Sequence, residues 1–159
     1  MPTTDDDATL LQLQVSEWVN GPELNLEELR GRVLLIETFQ MLCPGCVTAG
    51  IPQAQRVHQT FAADQVQVIG LHTVFEHHEV MGPEALKVFL AEFGVRFPVA
   101  VDLPVEGHVV PATMRHYRLQ GTPSTLLVDR KGRVRNIHFG TMEDLALGAW
   151  LGTLLTESE

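Results

Sequence analysis

Val33-Leu34-Leu35-Ile36-Glu37-Thr38-Phe39-Gln40-Met41-Leu42-Cys43-Pro44-Gly45-Cys46 is the stretch that decides the fold. Its first seven residues are continuous in apolar and β-branched character rather than alternating, which suits a central strand covered on both faces. Two cysteines separated by two residues follow at once, and the segment from Val47 to Ala63 predicts a helix, kinked or offset at Pro52. A strand that gives way to a helix across a Cys-x-x-Cys pair places a reactive group at the carboxyl end of a sheet.

Working outward, Val66–Leu71 predicts a second buried strand. Gly82-Pro83 opens a helix over Glu84–Phe93 that ends at Gly94. Phe97–Val101 reads as a short strand and Ala112–Tyr117 as a short helix. Ser124–Val128 and Val134–His138 read as an antiparallel hairpin across an Asp129-Arg130-Lys131-Gly132 turn, and Met142–Leu155 as a closing amphipathic helix. On the amino-terminal side, Leu11, Leu13 and Val15 form a strand-like piece, followed by an Asn20-Gly21-Pro22 turn and a helical turn at Leu26–Leu29. Residues 1–9 are polar and are expected to be frayed and disordered. A βαβ unit followed by a ββα unit predicts one α/β domain over residues 1–159, a mixed sheet with helices on both faces.

The chain has 159 residues, is 45% hydrophobic, and carries 11 basic against 20 acidic residues for a net charge of −9. That is enough apolar material for a core. An acidic balance of this size excludes tracking of a phosphate backbone, so no nucleic-acid partner is expected. Met1 to Asp7 carries three aspartates and no basic segment, and no run approaches the ~18 apolar residues of a membrane span. The expected location is therefore the cytoplasm, without membrane association. Thiols are kept reduced there, so two cysteines this close read as catalytic or metal-binding rather than structural.

At a strand–helix junction the first cysteine, Cys43, meets the unpaired amides and dipole of the helix start, which stabilise a thiolate. Cys43 is then the expected nucleophile toward a disulfide, and Cys46, about one turn on, the resolving thiol. The competing reading is half of a zinc site, which needs further ligands, and no other cysteine exists. Two further features converge on the pair. Gly121-Thr122-Pro123 precedes a strand, a position where proline does not interrupt the ladder. Glu37 is an acid inside an apolar strand, where burial alone costs several kcal/mol, and it stands six residues before Cys43. It is the candidate to relay a proton to and from Cys46.

Together these residues resemble the thioredoxin superfamily, and within it the TlpA-like, redoxin-type disulfide reductases. The resemblance rests on Leu26–Arg32, Val33–Phe39, Cys43–Cys46, Gly121–Pro123 and Leu126–Gly132, and covers roughly residues 15–155. Gly70-Leu71-His72-Thr73 resembles the thioredoxin-like domain of DipZ-type proteins, a related branch. The resemblance implies a thioredoxin fold with a strand–helix insertion, and Pro123 as a cis-proline beside the cysteines. It also implies that Thr122 offers backbone hydrogen bonds to substrate and that Glu37 takes the place of the family's buried acid. No cofactor is implied. Leu42 stands where the family has an aromatic residue, and Pro44-Gly45 reverses the dipeptide order of thioredoxin.

The expected function is a thiol–disulfide oxidoreductase that reduces disulfides in proteins or small thiol compounds and draws electrons from a cellular thiol reductant. Its catalytic residues are Cys43, Cys46 and Glu37, with Thr122 and Pro123 binding substrate. One alternative is a peroxiredoxin-like antioxidant protein of the AhpC/TSA kind. The Pro-x-x-x-Thr/Ser-x-x-Cys arrangement of that family is absent, since Ile36 and Gln40 precede Cys43 at those positions and Phe39 and Cys43 precede Cys46. Another is a Cu(I) or zinc carrier using Cys43, Cys46 and His72, in the histidine-rich stretch His72–Glu79. The plainer reading of His77 and His78 is a solvated loop that caps the next helix or pairs with Glu76 and Glu79, and no resident metal is expected.

Overall fold

The computed structural model describes residues 9–158. Six strands, β1 (Val15–Asn20), β2 (Val33–Phe39), β3 (Val66–His72), β4 (Val99–Asp102), β5 (Ser124–Val128) and β6 (Val134–Phe139), form one sheet in the spatial order β1-β4-β3-β2-β5-β6. β2, β3 and β4 run parallel, while β1 pairs antiparallel with β4 and β5 antiparallel with both β2 and β6. The helices are α1 (Ile51–Thr60), α2 (Pro83–Glu92), α3 (Ala112–His116) and α4 (Asp144–Thr156). This is the mixed α/β sheet expected from the sequence. The expected insertion is the pair α2 and β4, with β4 seated between β1 and β3.

β2 is central because every one of its seven residues is buried. Successive side chains point to opposite faces. Val33, Leu35 and Phe39 join the cluster with Ile51, Ala54, Val57, Leu86, Leu90, Leu147, Leu151 and Leu154 from α1, α2 and α4. Leu34 and Ile36 join the opposite cluster with Leu29, Leu126 and Val128, closed by Leu11, Leu13, Trp18 and Tyr117. By the same alternation Glu37 belongs to the face that α1 covers, and its carboxyl lies against Gly50 in the turn that follows the cysteines.

Two expectations are corrected. The amino-terminal strand is Val15–Asn20 rather than Leu11–Val15. β4 reaches only as far as Asp102, the partner of Val15, and residues 11–14 make only isolated backbone bonds, Leu103 N–H to Gln14 O and Leu11 N–H to Gly132 O. Leu11 and Leu13 pack on the core instead, and Thr9 accepts a hydrogen bond from Val134 N–H. Residues 1–8 of the segment expected to fray lie outside the described residues. The helix after the cysteines is not simply kinked: Cys46–Gly50 forms one wide π-helical turn before α1, closed by Ile51 N–H donating to Cys46 O. Pro52 lacks the N–H that would continue a regular ladder, and a wide turn just before it absorbs the loss.

The hairpin turn is held by Asp129, which accepts hydrogen bonds from the backbone of Lys131 and Arg133 and from the side chains of Arg133 and Arg135. These partners hold its carboxyl below the usual range, against the burial that opposes them.

Candidate active site

The carboxyl end of β2, the wide turn and the loop before β5 meet at one place. Cys43 is half-buried at the start of the turn, and its sulfur accepts a hydrogen bond from Cys46 N–H at 3.3 Å. Its thiol donates to the Thr122 carbonyl at 3.4 Å. Cys46 is completely buried. Burial first, and the neighbouring Cys43 thiol second, push the Cys46 pKa far above the ordinary thiol range. Hydrogen bonds from the Gln40 backbone and the Thr122 side chain pull the other way. The two sulfurs are thus unequal: one faces solvent with an amide donor aimed at it, and the other is sealed beneath.

The Thr122–Pro123 peptide is cis, as the resemblance implied. Pro123 packs against the cysteine turn, since a side-chain carbon at Gly45 would stand 3.4 Å from Pro123 Cδ. Thr122 and Pro123 therefore lie beside Cys43 and Cys46. Leu42, 59% exposed, adjoins Cys43 in the chain, and Phe139, also exposed, packs its ring on Gly121 beside Thr122, so two apolar side chains stand exposed on the segments flanking the pair.

Glu37 is buried at 2% exposure, so it is not a residue facing solvent at a strand edge. In the sheet it is flanked by Gly70 and Thr125. Thr125 donates its hydroxyl hydrogen to Glu37 Oε2 at 2.9 Å, while Oε1 is buried without a hydrogen-bond partner. Burial raises the pKa to about 8, opposed only by the Thr125 bond. Asp102 shows the contrast: its oxygens accept from Thr73 Oγ1 and from the Thr113 and Met114 amides that open α3. One buried acid is fully engaged in structure, and the other keeps an oxygen without a hydrogen-bond partner against the turn that follows the cysteines.

That oxygen lies against Gly50, at the end of the wide turn. A Cβ at Gly50 would overlap Glu37 Oε1 and stand 3.0 Å from Pro123 Cβ. Gly50→Ala is expected to lower stability by about 1–3 kcal/mol, because both obstacles are packed and cannot move aside freely. Urea denaturation measures it, and an unchanged midpoint would show that the carboxyl has room to retreat.

The histidine loop takes other roles than a metal site. His72 is buried, its Nε2 accepts a hydrogen bond from Met41 N–H at 3.3 Å, and burial lowers its pKa to about 4. It is a neutral support for the backbone leading to Cys43. His78 Nε2 pairs with the Val109 carbonyl at 2.8 Å, not with Glu79, and Glu76 Oε1 accepts from Gln40 rather than from a histidine. Among the described residues no three His, Cys, Asp or Glu side chains converge on a point that could hold a metal ion, so Cys43, Cys46 and His72 do not form a donor set.

Sequence reading missed three participants. Gly50 makes room for the Glu37 carboxyl, and Thr125 is its hydrogen-bond partner. Gln40, 1% exposed, joins the cysteine loop to its surroundings. Only Gln40 left a signal, an amide directly following a buried strand.

The redoxin family matches residues 11–147 of the chain. A thiol–disulfide isomerase from Corynebacterium glutamicum, known from its crystal structure, is 61% identical, with a TM-score of 0.94 over 96% of this chain and 99% of that one. Protein DipZ of Mycobacterium tuberculosis is 32% identical over 130 residues, 79% of this chain but 17% of DipZ. Thiol–disulfide oxidoreductase ResA of Bacillus subtilis is 24% identical over 132 residues, 82% of this chain and 65% of ResA. The chain thus spans about a sixth of the length of the DipZ relatives it matches. Kinship, sheet order and the Cys43–Cys46 turn beside a cis-proline agree: the chain belongs to the redoxin family and has a thioredoxin-like fold.

Proposed function

We propose that the chain reduces disulfide bonds of proteins through the Cys43–Cys46 dithiol. The Cys43 thiolate attacks one sulfur of the substrate disulfide, that S–S bond breaks, and the leaving thiolate takes a proton. Cys46 then loses its proton to Glu37 and attacks the Cys43 sulfur. The mixed disulfide breaks, the second substrate thiol is released, and a Cys43–Cys46 disulfide remains. Two electrons pass to substrate, and a cellular thiol reductant must return them. The observation that carries this reading is the inequality of the two sulfurs, the half-buried Cys43 facing an amide donor above a completely buried Cys46.

Thr122 fits a substrate-binding role. Its carbonyl holds the Cys43 thiol in the dithiol state and is released when that sulfur is engaged. The exposed apolar side chains of Leu42 and Phe139 suit an unfolded or extended protein segment more than a small charged thiol. A reducing compartment such as the cytoplasm belongs to the same proposal, because a dithiol donor has to be kept reduced. Among the described residues no helix is long and apolar enough to cross a membrane.

The test is catalysed reduction of insulin by dithiothreitol, followed as turbidity. Precipitation is expected to start several-fold earlier with the protein than without it, while the same preparation consumes hydrogen peroxide no faster than free cysteine. Equal insulin curves would overturn the reductase reading, and rapid peroxide consumption would replace it with a peroxidase.

A further inference from the structure

Gln40 reaches both cysteines and Thr122. Its backbone carbonyl accepts from Cys43 N–H at 3.1 Å, and its backbone also bonds the Cys46 sulfur. Its side chain makes three contacts: Oε1 accepts from Phe75 N–H at 3.2 Å, and Nε2 donates to Glu76 Oε1 at 3.2 Å and to Thr122 Oγ1 at 3.5 Å. The first two leave one orientation for the amide. Reversed, it would set a carbonyl oxygen against a carboxylate and an NH2 against an N–H, and a carboxamide cannot serve either.

With Nε2 held toward Thr122, the hydroxyl oxygen can only accept from it, because an NH2 group has no acceptor capacity. The single hydrogen of Thr122 is then free to point elsewhere, and Thr122 stands at the cysteine pair, its carbonyl 3.4 Å from the Cys43 sulfur and its side chain acting on Cys46. We propose that Gln40 is a positioning residue that, through its amide, turns the Thr122 hydroxyl into a hydrogen-bond donor to the Cys46 sulfur and so speeds resolution of the mixed disulfide. A donor to a sulfur gaining negative charge stabilises it far more than a neutral thiol. The effect falls on the second chemical step, when Cys46 attacks, and hardly on the first, when Cys43 does.

The proposal rests on the dithiol reading and can be tested separately from it. Reduced protein mixed with 5,5′-dithiobis(2-nitrobenzoate) releases one coloured thiolate when Cys43 attacks the reagent. It releases a second when Cys46 attacks the Cys43 sulfur, breaks the bond to the bound aryl thiol and closes the Cys43–Cys46 disulfide. The first phase depends on reagent concentration and the second does not. Gln40→Met, similar in size but without a donor, is expected to slow the second phase about tenfold and the first less than twofold. Its pH midpoint should move upward. Thr122→Val should slow the second phase by a similar factor, and in that phase the double variant should be no slower than the slower single variant, because both remove one interaction.

Should Gln40→Met fail to fold, Gln40→Glu keeps the size and offers the hydroxyl an acceptor, so it too slows the second phase. Effects that multiply in the double variant, or an unchanged second phase in the Gln40 variants, overturn the proposal. Both phases slowing alike overturns it too, marking a general packing role. A wild-type protein with no second phase overturns the dithiol reading itself.

Discussion

Cys43→Ser is expected to return insulin reduction to the uncatalysed rate, whereas Cys46→Ser should stop halfway with substrate covalently attached. The physical reason is position. Cys43 is the sulfur that a substrate disulfide can reach, and a serine hydroxyl at the same place is far too weakly acidic to attack sulfur. Loss of the nucleophile removes the chemistry rather than tuning it, so a drop of about a thousandfold or more is the scale expected. Cys46 cannot substitute, because it is completely buried. Without it, Cys43 still forms the mixed disulfide but nothing attacks from below. Mass spectrometry of the Cys46→Ser protein incubated with an oxidised peptide should show one peptide added per chain, removable by dithiothreitol. An adduct on Cys46 in the Cys43→Ser protein, in place of the expected silence, would reverse the two roles.

Glu37→Gln separates stability from activity. The carboxyl has its pKa raised to about 8 by burial, against an ordinary value of 4.5 in the unfolded chain. Below about pH 8 the carboxyl is mostly protonated in the folded protein, with a minor ionised fraction at neutral pH, while the unfolded chain releases its proton. Its contribution to stability is therefore fully present below about pH 4.5 and is lost as pH climbs to about 8. Between pH 5 and pH 8 the loss is about 3.5 kcal/mol, from 1.36 kcal/mol for each pH unit of that window less the partial titration at its edges. Glutamine does not titrate, so this slope should vanish from urea denaturation of Glu37→Gln measured across the same range. The same change removes the carboxylate that, as the ionised minority at pH 7, accepts the Cys46 proton, and the resolving step at that pH is expected to slow by about a hundredfold. An unaltered pH slope would show that the carboxyl is already ionised in the fold. A resolving step of unchanged rate would mean that the Cys46 proton leaves by another route.

These three variants illustrate why some of the site was legible in the chain and some was not. Cys43, Cys46 and Pro123 announce themselves through local constraints: sulfur chemistry, spacing over one helical turn, and a proline before a strand. Glu37 was legible as an anomaly, a charge in an apolar strand. Its partners were not, because Thr125 and Gly70 become its neighbours only when β5 and β3 adopt their registers with β2. Gly50 is one more helix residue until the carboxyl is seen resting against it. The histidine loop misled in the other direction. Seven consecutive positions between His72 and His78 hold three imidazoles, yet their contacts are with Met41 and Val109, chosen by loop packing rather than by ligand spacing.

The sequence alone determined the order of the elements, the buried central strand and the place of the reactive pair, since each follows from interactions within a few residues. Only the tertiary structure decided which acid oxygen stays unpartnered, which sulfur is sealed and which way the Gln40 amide points. Those properties depend on burial and on hydrogen-bond partners between 35 and 88 residues away in the chain, which no local pattern encodes.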